Sequence, residues 1–328
     1  YYTDIENVSL TAGAEAYFRL QSPVFSPPWG YIKEKRGNGM TRQELLDRLN
    51  KGPLILDGAT GSNLMKAGMP KGICTEKWVA DHPDILIKLQ QDYVEAGSDI
   101  IYAPTFMANR VSLREHGLAD ETESLNKTLL SLSRTASGGR ALVAGDLTTT
   151  GKMMEPLGPM SYETLYDAYR EQITYLAEAG ADLLVAETML ASNETMVILD
   201  AAASVCDLPV FCTLTMEADG SLFFGGNIFD AVEELEALGA AAVGCNCSTG
   251  PDQLESVISG IRSRVSVPVI AKPNAGMPTI SETGEAVYHM GPEEFARHMK
   301  TLQKAGASIL GGCCGTTPEF IRELKNSL

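Results

Sequence analysis

The sequence predicts an α/β protein of the (β/α)8 TIM barrel class, and three observations support this prediction. Eight short apolar segments recur from residue 54 to the C-terminus. They lack strict apolar–polar alternation, which is typical of parallel strands buried on both faces. Amphipathic helical patterns separate them, and one helix-to-strand turn recurs. The segments are "LILDGAT" (54–60), "DIIYAPTF" (99–106), "ALVAGDL" (141–147), "LLVAETM" (183–189), "PVFCTLT" (209–215), "AAVGCNC" (241–247), "PVIAKPN" (268–274) and "SILGGCC" (308–314).

Four of the helical patterns have recognisable starts and stops. The pattern over 83–96 begins with Pro83 and stops at Gly97, because proline suits the first helical turn and glycine suits the residue after the last one. The other three are 161–180 with Ser161 as the N-cap, 291–306 with Pro292 near its start, and 317–328 with Thr317 as the N-cap.

A weak internal repeat supports the barrel. The motifs "EAGSDII", "EAGADLL", "ALGAAAV" and "KAGASIL" lie where a helix ends and an even-numbered strand begins. Eight such units over about 275 residues are close to the ~250 residues typical of a (β/α)8 barrel. The alternative is an open doubly wound sheet, which eight strands without an obvious reversal of order disfavour. In a barrel, the long strand-to-helix loops surround the C-terminal face, where active sites lie.

The domain organisation is predicted as an N-terminal extension over 1–40 and a barrel over 41–328. Residues 1–40 are rich in proline, glycine and charge and do not fit the repeat. Two interpretations remain open. Met40 is an original start with an extension upstream, or the segment packs over the barrel floor through Phe25 and Trp29. The stretch "TRQELLDRLNKG" after Met40 predicts a helix that covers the barrel floor.

Composition excludes several classes of function. The 328 residues carry a formal net charge of −16, which opposes binding to a phosphate backbone, so we expect no nucleic-acid partner. No apolar run is long enough to span a membrane. The seven cysteines are an odd number and two are adjacent, which fits a reducing compartment and predicts a cytoplasmic protein.

Three cysteines predict a metal site. Cys247 ends the sixth strand, and Cys313 and Cys314 follow the eighth. Side chains from alternate strands share a layer of a barrel, so these thiols are expected to meet at its mouth. Three converging thiolates would repel one another without a soft cation, and zinc is the natural occupant. Three protein ligands leave the fourth tetrahedral position open, which is typical of catalytic zinc and favours a thiol substrate there.

Two carboxylates at the same face predict a substrate ammonium. Asp57 ends the first strand and Glu187 the fourth, each in an otherwise apolar segment. A buried, unpaired carboxylate is costly, so both suggest a cationic ligand such as an amino group. The alternative is that they pair with lysine or arginine, or cap the helix that follows.

These residues resemble the homocysteine S-methyltransferase family from about residue 42 to 328. The family includes zinc-dependent barrels that use betaine or S-methylmethionine, and the N-terminal homocysteine-binding module of cobalamin-dependent methionine synthase, to which the wording is closest. One departure is "GDLTTTG", which replaces a more usual glycine–proline form. The motifs that carry the resemblance are "LILDGATGSNL", "EAGSDIIYAPTFMANR", "LVAGDLTTTGKMMEPLG", "AETM", "GCNCS", "KPNAGMP" and "GGCCGTTPEFI".

The resemblance implies a zinc-dependent S-methyltransferase of methionine biosynthesis. The implied reaction transfers a methyl group to homocysteine from a methyl-corrinoid carried by a separate protein, from a sulfonium or from a quaternary amine. Two alternatives stay open: a component of a corrinoid-linked demethylation system with another thiol acceptor, and a non-catalytic zinc-binding module. The implied site residues are the zinc ligands Cys247, Cys313 and Cys314, the amino-group ligands Asp57 and Glu187, and two further residues near the substrate, Asn246 and Thr105.

Overall fold

The computed structural model describes residues 39–217, 219–281 and 286–328. The predicted N-terminal extension therefore lies outside the described residues, apart from Gly39 and Met40. Eight parallel strands form the centre of the described chain. They are β1 Leu54–Ile55, β2 Ile100–Tyr102, β3 Leu142–Leu147, β4 Leu183–Met189, β5 Val210–Leu214, β6 Ala242–Asn246, β7 Val269–Lys272 and β8 Ala307–Leu310.

Helices connect the strands on the outside. The long strand-to-helix segments also contain short 3-10 turns at Ala119–Glu121 and Pro251–Gln253, and a two-stranded hairpin, Thr279–Ile280 with Ala286–Val287. The helices are α1 Arg42–Leu49, α2 Gly61–Lys66, α3 Thr75–Asp81, α4 Pro83–Ala96, α5 Arg110–Arg114, α6 Thr122–Ser137, α7 Tyr162–Glu178, α8 Ser192–Val205, α9 Ile228–Ala237, α10 Glu255–Arg262, α11 Pro292–Lys304 and α12 Pro318–Ser327.

The strands close into a barrel. From β2 to β8, each strand pairs in parallel with the next one along the chain, and β8 pairs in parallel with β1. A single bridge between Leu56 and Ile100 joins β1 to β2 and completes the circle. This arrangement confirms the predicted (β/α)8 class and excludes the open doubly wound sheet.

Three apolar clusters form the core, and two of them include residues of the strands. One includes alternate residues of the strands, such as Leu54, Tyr102 and Phe211, as expected for side chains that fill a barrel interior. The other, larger cluster joins the opposite strand faces to the surrounding helices. Among the described residues, no helix combines the length and the apolarity needed to cross a bilayer.

The repeated turn and most helix ends lie where the sequence predicts them. Gly97, Gly180, Gly239 and Gly306 all have positive φ values, which only glycine adopts readily. The Ser161 hydroxyl accepts a hydrogen bond from the Thr164 backbone N–H at 3.2 Å. The four predicted helices are confirmed.

The helix that follows Met40 is also confirmed. It is α1, and Thr41 begins it with a capping box to Glu44. The Met40 backbone N–H donates to the Asp182 carbonyl at 2.9 Å, and the Met40 side chain is buried.

Several strands are shorter than predicted at their C-terminal ends. The first was predicted over 54–60, but β1 ends at Ile55; the last was predicted over 308–314, but β8 ends at Leu310. Backbone hydrogen bonds to neighbouring strands continue for one residue beyond each of these ends, at Leu56 and Gly311, before the chain reaches residues that line the cavity. An apolar run therefore marks where a strand lies better than where it ends.

Candidate active site

A cavity of about 1220 Å³ opens at the C-terminal face of the barrel. Its floor contains residues from the ends of most strands, and its rim includes residues of the loops after β1, β2 and β7. The side chains with polar or ionisable groups near its base are Asp57, Tyr102, Asp146, Glu187, Thr188, Cys247, Lys272, Cys313 and Cys314, with Tyr288 from the loop after β7.

The structure brings the three predicted cysteines together. The sulfur atoms of Cys247, Cys313 and Cys314 all lie within 4.8 Å of one another, and Cys247 Sγ is 3.5 Å from Cys314 Sγ. Cys245, two residues earlier on β6, is fully buried in the core and does not belong to the group. The cluster therefore draws one sulfur from the sixth strand and two from the eighth.

Backbone geometry directs these thiols into the cavity. Cys247 has φ +56°, a left-handed conformation that is unfavourable for a residue with a side chain and that concentrates at functional sites. The Cys313 N–H donates to the Pro273 carbonyl at 2.7 Å, and the Cys314 carbonyl accepts from the Ala275 N–H at 2.9 Å. These bonds tie the adjacent cysteines to the chain that follows β7.

The thiols interact strongly with one another. Hydrogen bonds from Cys247 and Cys313 lower the pKa of Cys314 to about 3. The pKa of Cys247 is raised, because it donates hydrogen bonds to the other two sulfurs. The hydrogen bond with Cys247 lowers the pKa of Cys313, but hydrogen bonding with Cys314 and burial outweigh it and raise that pKa to about 11. Three thiolates within 4.8 Å of one another would repel, so all three can be ionised together only with a cation among them.

The donor set fits zinc. A tetrahedral ion with Zn–S distances near ~2.3 Å places its sulfur ligands about 3.8 Å apart, which is close to the separations in this cluster. Soft sulfur donors bind zinc well, whereas magnesium and calcium prefer oxygen donors. Tyr288 lines the cavity together with Cys314. It packs over Gly315, where a Cβ atom would lie 2.4 Å from the tyrosine ring. The assignment of these cysteines as zinc ligands stays a prediction.

Asp57 and Glu187 both reach the cavity, where Lys272 lies between them. Lys272 Nζ is 3.0 Å from Glu187 Oε1 and 3.8 Å from Asp57 Oδ1. The second oxygen of Asp57 accepts from the Tyr102 backbone N–H at 2.8 Å. The lysine pairing that the sequence left open as an alternative is thus present, together with the exposure to the cavity that a substrate ligand needs.

Burial dominates the electrostatics of this group. It raises the pKa of Asp57 to about 7, against the opposing effect of the Lys272 charge. It also raises the pKa of Glu187, again opposed by Lys272. Burial disfavours the Lys272 ammonium, but Glu187 and Asp57 outweigh that cost, and the pKa of Lys272 is raised well above its usual value. Lys272 Nζ also lies 4.9 Å from the centre of the Tyr102 ring.

Asn246 lies beside the cysteines but is already hydrogen-bonded. Its side-chain N–H donates to Thr188 Oγ1 at 2.7 Å, and its oxygen accepts from the Thr188 N–H at 3.0 Å. Its amide nitrogen is 4.0 Å from Cys313 Sγ. The pairing of β4 with β5 shifts register between Ala186 and Met189, and such bulges re-aim side chains next to active sites.

Thr105 is fully buried and contacts β3. Its hydroxyl donates to the Asp146 carbonyl at 2.8 Å and accepts from the Asp146 N–H at 3.0 Å. Its neighbours Pro104 and Phe106 are among the described residues that line the cavity, and Thr105 is not. In this structure Thr105 fixes the backbone of a cavity residue, and its predicted place near the substrate stays a prediction.

Sequence reasoning missed Lys272, Asp146 and Tyr288. The first two had a signal, since each is a charged residue at the end of an apolar strand segment, in "PVIAKPN" and "ALVAGDL". Nothing in the sequence brings Tyr288 to the cysteines, because it lies in a long loop whose path depends on tertiary contacts.

Known proteins resemble this chain over most of its length. Residues 54–328 match the family model for homocysteine S-methyltransferases. Methionine synthases of Mycobacterium leprae and Mycobacterium tuberculosis are each 30% identical over 304 residues, which cover 86% of this chain and 25% of the relative. The chain thus spans about a quarter of the length of these curated relatives. The metallated form of the homocysteine methyltransferase MmuM from Escherichia coli shares the fold, with a TM-score of 0.72 at 22% identity over 87% of this chain and 98% of that chain.

Proposed function

Because the chain belongs to the homocysteine S-methyltransferase family, we propose that it transfers a methyl group from an activated donor to the sulfur of homocysteine, giving methionine. The family is one of methyltransferase enzymes. The observation that carries the proposal is the cluster of three sulfur atoms within 4.8 Å at the base of a cavity that also contains buried carboxylates. The sulfur cluster suits the thiol group of such an amino acid, and the carboxylates suit its amino group.

The residues proposed to bind zinc are Cys247, Cys313 and Cys314. When bound, zinc would supply a Lewis acid that keeps a fourth, thiol ligand deprotonated near neutral pH. The chain's own contribution is to orient the sulfurs through the left-handed backbone at Cys247 and the turn before Gly315. Histidine is not needed for proton transfer in this account, and the chain has only four.

Asp57 and Glu187 are proposed to bind the amino group of homocysteine. Both are less than one-tenth exposed and both line the cavity. Lys272 opposes the effect of burial on both carboxyl groups and fixes their positions, so that negative charge is held in place before the substrate arrives. Pre-organised charges in a dry pocket bind an ammonium more strongly than flexible charges at a surface.

The test is an assay of methionine formation by the zinc-loaded chain with homocysteine. The donors are a methyl-corrinoid protein, S-methylmethionine and betaine. We expect one donor class to support turnover, and we expect Cys313→Ala to lose both zinc and turnover. Cys245→Ala is the matched control, because this buried cysteine is absent from the cluster and its replacement should keep both.

Two outcomes would favour other functions. Stronger binding and faster methylation of another thiol in direct competition with homocysteine would favour the demethylation component. Calorimetry that shows no homocysteine binding to the zinc-loaded chain would favour a non-catalytic zinc module. Full turnover by a metal-free Cys313→Ala variant would contradict the proposal outright.

A further inference from the structure

Three carboxylates lie at the base of the cavity, and they differ in their partners. Asp57 Oδ1 and Glu187 Oε1 both face the Lys272 ammonium, whereas Asp146 Oδ1 has no hydrogen-bond partner among the described residues. Glu76, a fourth buried carboxylate at the cavity, differs, because its oxygens accept from the Met107 N–H and the Cys74 thiol. Buried acceptors without donors are rare and call for an explanation.

One lysine does not balance three carboxylates. Lys272 lies within 3.8 Å of Asp57 and Glu187. Full ionisation of all three acids would leave two uncompensated negative charges in a buried space. Such charges are too costly to persist, so in the empty pocket a proton must reside on one of the acids.

Asp146 is the acid best placed to keep that proton. It lines the cavity and, unlike Asp57 and Glu187, it has no ion pair among the described residues. Its backbone is clamped from both sides by Thr105 Oγ1, which bonds to the Asp146 N–H and carbonyl. Asp146 is only 4% exposed, so solvent offers little stabilisation to its charged form.

We propose that Asp146 is a third carboxylate of the ammonium pocket, and that binding of the substrate's amino group expels the proton that Asp146 carries in the empty pocket. The inference rests on the proposed function, since it assumes an amino-acid thiol as the ligand. The balance is simple: the ammonium cation enters, the Asp146 carboxylic acid becomes a carboxylate, and one proton leaves to solvent. An ammonium group has three N–H donors, one for each of the three carboxylates.

The charged and ionisable groups around Asp146 affect how readily it loses its proton. Burial raises the pKa of Asp146 well above its usual value, and the Glu187 charge adds to that effect. The Lys272 charge opposes it, whereas Asp57 and Cys313 reinforce it. Tyr102 of β2 faces the same group, and its pKa is raised well above its usual value by burial. A bound ligand cation lowers the pKa of Asp146, as the Lys272 charge does, and therefore favours loss of the proton.

The experiment is titration calorimetry of the zinc-loaded chain at pH 7 in phosphate and in Tris, whose different ionisation enthalpies reveal proton release. The ligands are L-homocysteine and 4-mercaptobutanoate, which has the thiol and carboxylate but no amine. In the wild type we expect homocysteine to release about one more proton than 4-mercaptobutanoate. In Asp146→Asn the excess should vanish, and homocysteine affinity should fall by about tenfold. Asp167→Asn, which removes an exposed carboxylate on α7, should behave as the wild type.

The outcomes separate the two proposals. An equal proton excess in wild type and Asp146→Asn would overturn this inference and leave homocysteine binding intact. Absence of homocysteine binding to the wild type would overturn the proposed function, and the inference with it. If Asp146→Asn does not fold, the wild type alone decides: its affinity for homocysteine relative to 4-mercaptobutanoate must rise with pH between about 6 and 8, and a flat ratio contradicts the inference.

Discussion

At the scale of single residues, Lys272 occupies the position on which the acidic pocket depends. Its side chain is only 5% exposed, and its ammonium is 3.0 Å from Glu187 and 3.8 Å from Asp57. Removing one partner of a buried ion pair leaves the other charge uncompensated, which costs far more than the net contribution of the intact pair. The lysine therefore stabilises the fold and also fixes the carboxylates for a ligand.

Replacing Lys272 tests this dependence. Lys272→Met keeps the length of the side chain and removes its charge, so we expect the free energy of unfolding to fall by about 3–5 kcal/mol. The free energy of unfolding is measured by urea denaturation, with circular dichroism as the signal. Lys88→Met is the matched control, because that lysine pairs with Asp92 at the surface with 71% exposure and its loss should cost less than about 1 kcal/mol. Equal losses for the two variants would contradict the role given to Lys272.

At the scale of elements, the loop between β3 and α7 is attached to the start of α8 by Glu194. This buried carboxylate accepts from the Thr150 N–H at 2.8 Å, the Thr150 hydroxyl at 2.9 Å and the Tyr169 hydroxyl at 2.8 Å. The Thr149 hydroxyl also donates to it. The segment "GDLTTTG" is thus anchored to α8 through a buried carboxylate.

Glu194→Gln should loosen this loop. The amide replaces one acceptor oxygen with a donor, which leaves buried donors without partners and lowers the free energy of unfolding by about 1–3 kcal/mol. Hydrogen exchange at the Thr150 amide should accelerate much more than exchange in the strands. The control is Glu234→Gln, an exposed residue of α9, which should change neither quantity. Unchanged protection of Thr150 in Glu194→Gln would contradict the anchor.

At the scale of the whole molecule, the sequence predicted the features that local chemistry determines. The positive φ at Gly97 and the N-cap bond of Ser161 depend on a few neighbouring residues, and both were confirmed. The predicted ends of β1 and β8 were wrong, because the length of a strand depends on its pairing with neighbouring strands, which one segment of sequence does not show.

The site shows the same division between local and tertiary information. Adjacent cysteines at a strand end were enough to predict a cluster, since the barrel brings alternate strands together. The partners of Lys272 could not be predicted, because β7 meets β1 and β4 only through the closed barrel. Tyr288 was missed for the same reason, as its contact with Gly315 joins a loop to a distant strand end.

The most direct test of the central claim is X-ray absorption at the zinc edge of the reconstituted chain. The account predicts one zinc ion with three sulfur neighbours near ~2.3 Å, and a fourth sulfur after homocysteine is added. Cys245→Ala should give the same spectrum, and Cys247→Ala should lose a sulfur neighbour or the metal. Fewer than three sulfur neighbours in the wild type, or an unchanged spectrum in Cys247→Ala, would contradict the account.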